Sequence, residues 1–566
     1  MTEESGAPGA EAVDTLANLA NPILNSPYEP PARHFEIMGK GPTGRILPGR
    51  RSSESFIPIP PSKKRPKDQS EHLFDEAEFT ALNEQKRDNS LINDLRKEVD
   101  KWRELGYQGA RPLTKQLLQH WADPDRENRV LFAQREAAET AIYLYEVGAR
   151  AKAKDLGYQD WRHRLEPPNT EHNSGLPRVA LKMATGTGKT VVMAMLIAWQ
   201  TLNAVGSRGA KDYTRRFLIV APGITIRDRL QVLQPNAPDN YYDARGIVPP
   251  ALRRELNKAE VKVVNYHQFL LRERREFRDV AKKTKEILAA SEDTSQFKET
   301  PEDMVTRVLR DWARPKSPQI MVLNDEAHHC YQDAPREVPG EKADRQDTER
   351  NQEARVWFKG LQAIQAKVGI KNIFDLSATP YYLKGSGYKE GEIFPWVVSD
   401  FSLMDAIESG IVKVPRLPVN DDAESDTVTY LNLWEQLKGD MPASRGKNKV
   451  ESAADWVVPG ALEGALNSLY RSYEHEFRRW EALPEDRRDT PPVFIVVCNN
   501  MTVSKLVFEL IGGYETYDDD GASAGWVPGR YELFNNVENG APMARPNTII
   551  VDSEHDHRGL RADRVR

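Results

Sequence analysis

The segment "MATGTGKT" (183–190) combines glycine, lysine and hydroxyl side chains at a spacing suited to phosphate binding. It lies between an apolar run and a helical pattern, so Gly186 and Gly188 allow a turn whose N–H groups face an anion at a helix N-terminus. Lys189 would reach the β- and γ-phosphates of a nucleotide, and the Thr190 hydroxyl would bind Mg²⁺. Met183 occupies the place of the first glycine of the general pattern. We therefore predict an ATP and Mg²⁺ site with the cofactor-binding residues Thr185, Gly186, Thr187, Gly188, Lys189 and Thr190.

A second segment, "IMVLNDEAHH" (320–329), places carboxylates at the end of another apolar run. A magnesium-binding carboxylate is expected on a strand next to that of the phosphate loop, at the edge where ligands gather in open α/β sheets. Asp325 would hold the Mg²⁺ shell through water, and Glu326 would orient and deprotonate the attacking water. Glu326 and Lys189 are therefore the predicted catalytic residues. The adjacent His328, His329 and Cys330 lack the ligand spacing of a zinc site.

The elements that must position these residues alternate between short apolar runs and helical stretches from about residue 176. This alternation is typical of β-α units that build a parallel sheet, so the predicted fold class is α/β. Charged helical sequence over about 271–317 indicates an insertion within this domain, which is expected to span 176–410. The predicted strands are 179–183, 217–221, 261–265, 320–323 and 372–376.

The flanking regions differ from this domain in composition and in hydrophobic pattern. Residues 1–75 are rich in Pro, Gly and Ser and predict an irregular arm with a short strand near 56–59, whereas 76–175 has a helical pattern. The basic cluster at 63–67 is interpreted as a solvated linker.

A second β-α domain is predicted over 411–566, and it includes a polar stretch at 417–455 that resembles a linker or surface loop. The segments "PPVFIVVCNN" (491–500) and "NTIIVDSE" (547–554) predict its buried strands. An amphipathic helix is predicted from apolar residues three and four apart, namely Leu462, Leu466, Leu469, Tyr473, Phe477 and Trp480.

The composition is that of an ordinary globular chain, with 566 residues, 39% hydrophobic and 29% charged. This length exceeds a single core, so two or three domains are expected. The two cysteines exclude a disulfide framework and fit a reducing cytoplasm. No apolar run is long enough to span a membrane. The net charge of −6 neither indicates nor excludes nucleic-acid binding.

Three segments in this order, "MATGTGKT", "DEAHH" and "DLSATP" (375–380), resemble motifs I, II and III of superfamily 2 helicases and translocases. The sequence around them resembles the restriction (Res) subunit of type III restriction-modification systems. The segments that carry this closer resemblance are "NPILNSPYEPPARHF" (21–35), "FLIVAPGITIRDRL" (217–230), "VVNYHQF" (263–269) and "FPWVVSDFSLMDAIESGIVKVPRLPV" (394–419). The resemblance implies a RecA-like parallel-sheet ATPase domain followed by a partial second RecA-like domain, after a helical and irregular N-terminal region.

The resemblance also implies roles for residues outside the phosphate loop. The segment "FAQREAAETAIYL" (132–144) resembles the adenine-reading segment of the family, so Gln134 is expected to hydrogen-bond the adenine and Phe132 to stack near it. Ser377 and Thr379 match motif III, which couples the state of the bound nucleotide to DNA binding. Contacts to DNA phosphates, which suit movement along any sequence, are expected at Pro222, Gly223, Thr225, Arg227, Asn265 and His267.

The function implied is that of an ATP-dependent DNA translocase or helicase module that binds double-stranded DNA and a modification (methyltransferase) subunit in the cytoplasm. The motif VI arginine and the nuclease cluster of the family are expected further C-terminal, so we expect a truncated module with weak hydrolysis and no nuclease activity. The acidic and histidine-containing segment at 552–557 is interpreted as a solvated loop. The alternatives are a hydrolysis-deficient, nucleotide-dependent module that binds DNA or a partner, and a superfamily 2 DNA repair motor.

Overall fold

The computed structural model divides the chain into two compact units, Met1–Val414 and Pro415–Arg566, here called the first and second units. The described residues are 21–38, 41–58, 84–149, 156–206, 210–273, 298–314, 319–332, 345–415, 433–437, 439–442, 452–488, 490–518 and 522–551. The basic cluster at 63–67, the middle of the predicted insertion and the segment 552–557 lie outside them. Within the described ranges, no helix is long and apolar enough to cross a membrane.

The N-terminal part of the first unit contains more strands than predicted: β3 lies where a short strand was expected near 56–59, whereas β1 and β2 replace the expected irregular arm and β4 the expected helical pattern. β1 (Arg33–Met38) pairs antiparallel with β2 (Gly41–Pro48), and β3 (Glu54–Pro58) pairs with β4 (Glu84–Asp88). Buried ion pairs anchor this region to distant residues, because Arg50 pairs with Glu136 and Arg51 with Glu408. Partners so far along the chain leave no local pattern, which explains why the sequence did not predict β1, β2 and β4. The helices that follow are α1 (Ser90–Glu104), α2 (Pro112–Ala122), α3 (Phe132–Ile142) and α4 (Arg162–Asn173).

A six-stranded parallel sheet forms the centre of the first unit. Its strands are β5 (Arg178–Met183), β6 (Arg216–Ala221), β7 (Glu260–Asn265), β8 (Ile320–Asp325), β9 (Ile370–Ser377) and β10 (Val397–Phe401). They lie in the order β10-β5-β9-β8-β6-β7, and every adjacent pair is parallel. Five of the six form where apolar runs predicted them, and the α/β fold class is confirmed. β10 was not predicted, because its apolar run is short and it lies at the edge of the sheet among the described strands.

Helices cover both faces of this sheet, which is why its central strands are almost continuously apolar. They are α5 (Lys189–Gly206), α6 (Ile224–Arg229), α7 (Tyr241–Ala244), α8 (Arg253–Leu256), α9 (Pro301–Leu309), α10 (Arg345–Lys367) and α11 (Leu403–Glu408). In β8, Met321 and Leu323 share a core with α3 and α5. Ile320 and Val322 point the other way and share a core with α9 and α10. The strand that ends in the two acidic residues is therefore held from both faces.

The described residues of the second unit form three α-helices and two short antiparallel strand pairs. They are α12 (Leu433–Leu437), α13 (Gly460–Glu481) and α14 (Met501–Gly512), with β11 (Gly513–Tyr517) paired to β12 (Ser523–Pro528) and β13 (Val537–Glu538) paired to β14 (Ala541–Pro542). The predicted amphipathic helix is confirmed as α13. Its residues Leu462 and Leu466 are buried in one core with Val503 and Leu506 of α14.

The prediction of two buried strands in the second unit was wrong. Residues 491–498 and 547–551 are in no strand. Val493, Ile495 and Val497 are 71%, 76% and 90% exposed, so the alternate side chains of this run face outward. Among the residues that the structure describes, the backbone of 493–498 forms no hydrogen bond. An apolar run becomes a strand only when neighbouring strands pair with it, and the described residues supply none here.

Candidate active site

The turn between β5 and α5 has the backbone conformation that a phosphate loop needs. Gly186 and Gly188 have φ angles of +87° and +85°, in the left-handed region that favours glycine. The hydroxyl of Thr187 donates to the Ala184 carbonyl oxygen over 2.6 Å and closes the turn. Helix α5 begins directly afterwards at Lys189. The N–H groups of its first turn, with the lysine ammonium, can bind an anion.

Asp325 and Glu326 lie at the carboxyl end of β8, at the same sheet edge as the phosphate loop. The Lys189 ammonium forms an ion pair with the Glu326 carboxylate, which joins the two segments directly. The prediction that their strands are adjacent was wrong, because β9 lies between β5 and β8. The long lysine side chain reaches across this intervening strand, a separation of about 10 Å between the outer two.

Asp325 is a buried carboxyl group, and its burial raises its pKa to about 6 against the opposing effect of the Lys189 charge. A cation placed at this carboxyl group would favour the ionised form. Thr190, in the first turn of α5, is half-buried and offers a hydroxyl oxygen. Carboxylate and hydroxyl oxygens are donors that Mg²⁺ accepts. Asp325 and Thr190 therefore fit the predicted magnesium ion.

His328 connects the acidic residues to the end of β9. Its Nδ1 lies 2.8 Å from the Ser377 hydroxyl oxygen and 3.4 Å from Glu326 Oε2. The Thr379 backbone N–H also donates to the Ser377 hydroxyl, over 3.1 Å. Burial, with the neighbouring His329, lowers the pKa of His328 to about 4, so the imidazole is neutral near pH 7. A continuous contact chain therefore runs from Lys189 through Glu326 and His328 to Ser377.

The structure brings together the predicted coupling residue Ser377 and the predicted catalytic residues, with His328 as the link that the sequence analysis missed. The signal was available in the spacing. His328 follows Glu326 by two residues, and "SAT" ends the strand beside β8. From the sequence His328 was judged only as a zinc ligand, and the hydroxyl that it contacts belongs to a different strand.

Gln134 and Phe132 are engaged within the protein. The Gln134 side-chain amide donates to the Thr187 carbonyl oxygen over 2.9 Å and accepts from the Leu131 N–H over 3.1 Å. Gln134 therefore supports the phosphate loop directly, and its contact with adenine remains a prediction. Phe132 is 1% exposed, with the guanidinium groups of Arg50, Arg103 and Arg135 between 5.2 and 5.5 Å from its ring centre. In this geometry Phe132 cannot stack on a base.

The residues expected to contact DNA lie at the carboxyl ends of the adjacent strands β6 and β7. Thr225 and His267 are exposed, whereas Asn265 is buried. Arg227 forms an ion pair with Asp228 at 2.6 Å, which offsets part of its charge. Pro222 and Gly223 form the turn between β6 and α6 and are half-buried. The group therefore shares one sheet edge with the nucleotide site, although its members differ in how far they reach the surface.

Comparison with family models places this site within a known domain. Residues 133–382 match the family described as type III restriction enzyme, res subunit. The match begins in α3 and includes the phosphate loop, the acidic pair and Ser377, and thus the whole contact chain described above. Comparisons with curated proteins and with solved structures gave no match. Residues 133–382 therefore form a domain of the type III restriction enzyme res-subunit family, a helicase-type domain of superfamily 2.

Proposed function

We propose that this chain is an ATP-dependent DNA translocase or helicase module of the type III restriction-subunit kind. The observation that carries the proposal is the contact chain of Lys189, Glu326, His328 and Ser377 at the carboxyl edge of the sheet. It connects the residue expected to contact phosphate with the residue expected to relay the nucleotide state. A structural role alone would not require a lysine, an acid, a histidine and a hydroxyl group to contact one another in a row at the sheet edge where ligands bind.

The chemistry assigned to these residues is hydrolysis of the bond between the β- and γ-phosphates of ATP. Lys189 would contact those phosphates and give up its ion pair with Glu326. The freed Glu326 carboxylate would orient a water molecule and accept its proton as the water oxygen bonds to the γ-phosphorus, while the bond to the β-phosphate oxygen breaks. A magnesium ion held by Asp325 and Thr190 would neutralise charge on the β- and γ-phosphate oxygens. The products are ADP and inorganic phosphate.

We propose that the protein moves along duplex DNA and contacts it through residues at the carboxyl ends of β6 and β7. A change at Glu326 would reach β9 through His328 and Ser377, and Thr379 follows on the same turn. Contacts with phosphates suit a motor because they carry no sequence information. A modification subunit is the proposed partner that selects the DNA site. ATP and Mg²⁺ are the proposed cofactors.

The test is steady-state ATP hydrolysis by the purified full chain with and without duplex DNA. We expect DNA-stimulated turnover that is lost in Lys189→Ala and in Glu326→Gln, with nucleotide binding lost only in Lys189→Ala. The surface ion pair of Lys258 with Glu255, at 2.5 Å, provides matched controls in Lys258→Ala and Glu255→Gln. Both controls should retain full turnover.

Two other outcomes separate the alternatives. Nucleotide binding without turnover would support the nucleotide-dependent binding module and remove hydrolysis from the proposal. ATP turnover that DNA does not stimulate, or that Glu326→Gln does not reduce, would contradict the roles assigned above. Turnover equally reduced in Glu255→Gln would show that the loss reflects general damage and not the chemistry of Glu326.

A further inference from the structure

Arg178, the first residue of β5, has a fully buried guanidinium group with three hydrogen-bond partners. It donates to the Asp375 carboxylate at 2.8 Å, to the Asn173 side-chain oxygen at 3.0 Å and to the Cys330 carbonyl oxygen at 2.9 Å. These partners lie on β9, at the end of α4 and just after the turn that carries His328. One side chain thus joins three segments that are far apart in sequence.

The same network also reaches the other end of that turn. Asp375 accepts from the Asn324 side-chain amide at 2.7 Å and from the Trp396 indole N–H at 2.9 Å. Asn324 immediately precedes Asp325, and Cys330 follows His329. The segment 325–329 is therefore held at its start through Asn324 and at its end through the Cys330 carbonyl, with Arg178 connected to both.

Stability alone gives a poor account of this arrangement. A buried ion pair is often no more stabilising than a well-packed apolar pair of similar volume. The planar guanidinium, however, imposes fixed directions on its hydrogen bonds, which a lysine ammonium does not. Within the segment held at both ends, Glu326 has a left-handed backbone with φ of +50°, a conformation that non-glycine residues adopt only when their surroundings impose it.

We propose that Arg178 is a positioning residue for ATP hydrolysis, which holds the turn bearing Glu326 and His328 in register with Ser377. This inference rests on the proposed function, because it assigns Arg178 to the hydrolysis step. Asp375 lies two residues before Ser377 on β9, so the guanidinium and its carboxylate partner set the distance between the two halves of the contact chain. Arg178 touches neither nucleotide nor water in this role.

The test compares Arg178→Lys with Asn173→Ala in the full chain. Lysine keeps a positive charge for Asp375 but lacks the second guanidinium nitrogen that donates to the Cys330 carbonyl oxygen. We expect the kcat for ATP to fall about 10- to 100-fold, since small misplacements of catalytic groups have effects of this size. The dissociation constant of a fluorescent ATP analogue with Mg²⁺ should change less than twofold. Asn173→Ala also removes one buried hydrogen bond from the guanidinium, but it leaves the link to Cys330 and should keep the wild-type kcat.

A role in folding alone predicts a different result, in which the two variants lose thermal stability and retain kcat below their melting temperatures. If Arg178→Lys does not fold, Asn324→Leu releases the other end of the turn while the Arg178–Asp375 pair stays intact. Its kcat should fall with little change in nucleotide affinity.

The outcomes separate this inference from the proposed function. Wild-type turnover together with unchanged kcat in Arg178→Lys would overturn the positioning role and leave the proposed function standing. Unchanged kcat in Asn324→Leu would do the same where the lysine variant cannot be purified. A wild-type chain that binds nucleotide but does not hydrolyse it would overturn both.

Discussion

Strand β8 in the first unit and residues 493–497 in the second unit are both short apolar runs, yet they differ in every structural respect. β8 is buried along its whole length, pairs with β6 and β9, and has a helix layer on each face. In 493–497 four side chains are exposed, and of this run only Phe494 packs against the core that includes α14. The comparison shows that an apolar run predicts side chains that tend to be buried. Whether the run forms a strand depends on the presence of neighbouring strands that can pair with it.

The same difference explains where the candidate chemistry lies. The phosphate loop, Asp325 and Ser377 all follow strands with partners on both sides, so the backbone at the carboxyl edge is fixed by the sheet. Side chains on such elements are held more precisely than side chains on loops. Four variants probe the contrast between the two units, in order of decreasing effect on the free energy of unfolding.

The largest effect is expected for Phe374→Ala in β9. Phe374 is fully buried between β5 and β8, and its ring meets that of Tyr145 edge-on at 5.4 Å. Removing a buried phenylalanine ring costs about 3–5 kcal/mol because a cavity remains. Urea unfolding, with hydrogen exchange to locate the transition to β5 and β9, measures the loss. Ile495→Ala on the exposed run is the control, and an equal loss there would show that the two runs are covered alike.

The contrast behind this prediction could be derived from the sequence only in part. The apolar runs before "GTGKT" and "DEAHH" predicted buried strands, and the loop glycines predicted a turn, because both depend on local pattern. Strand order does not depend on local pattern, so the insertion of β9 between β5 and β8 was missed. The strands β1, β2 and β4 were missed for the same reason, since Arg50 and Arg51 find their acidic partners far along the chain.

The candidate site shows the same limit. Lys189, Asp325 and Glu326 could be assigned from spacing and residue type, because the chemistry itself restricts the choice. The burial of Phe132 and the use of Gln134 to hold Thr187 depend on how α3 packs against the loop, which no local spacing reveals. Arg178 was overlooked because one arginine at the start of a strand has no distinguishing pattern.

A second effect appears only when the pH changes. The pKa of His328 is lowered from its ordinary value near 6.5 to about 4, by burial first, then by the charges of His329, Lys189 and Arg350, against the opposing Glu326. As the pH falls below 6.5 the unfolded chain takes up a proton that the folded chain does not, so stability is lost between pH 6.5 and 4. The full change is about 3 kcal/mol.

The measurement is the thermal stability of the first unit from pH 7 to pH 4.5 in wild type and in His328→Asn. The asparagine variant should lose less stability as the pH falls. His267→Asn, at an exposed position on the same sheet edge, is the matched control and should keep the wild-type slope. An unchanged slope in His328→Asn would place His328 outside the buried contact chain.

A smaller effect is expected for Gly188→Ala in the phosphate loop. Its φ of +85° is unfavourable for alanine, and the new methyl group would collide with the Gln134 side-chain amide. A strained backbone of this kind costs about 1–3 kcal/mol, and the hydrogen bond to Thr187 would be displaced. Nucleotide affinity should fall together with stability. In the double variant Gln134→Ala/Gly188→Ala the new methyl group no longer collides with the glutamine amide. The stability losses of the two single variants should therefore sum to more than the loss measured for the double variant.

Gly223→Ala is the control for this variant, because Gly223 lies in the turn between β6 and α6 without a left-handed φ and has open space at the position of a methyl group. It should change stability by less than about 0.5 kcal/mol. Strictly additive losses in Gln134→Ala and Gly188→Ala would mean that the glutamine does not occupy the space beside the loop.

The smallest effect on stability is expected for lysine substitutions on the exposed run of the second unit. Val493 and Val497 face outward, so the double variant Val493→Lys/Val497→Lys should change the free energy of unfolding by less than about 0.5 kcal/mol. Fluorescence of a dye that binds apolar surface should decrease. Val322→Lys in β8 is the opposite case, because an unpaired charge would be buried among α9, α10 and the sheet. A loss above about 2 kcal/mol in the double variant, at the scale of a buried side chain, would mean that this run is covered in solution and that the contrast with β8 is false.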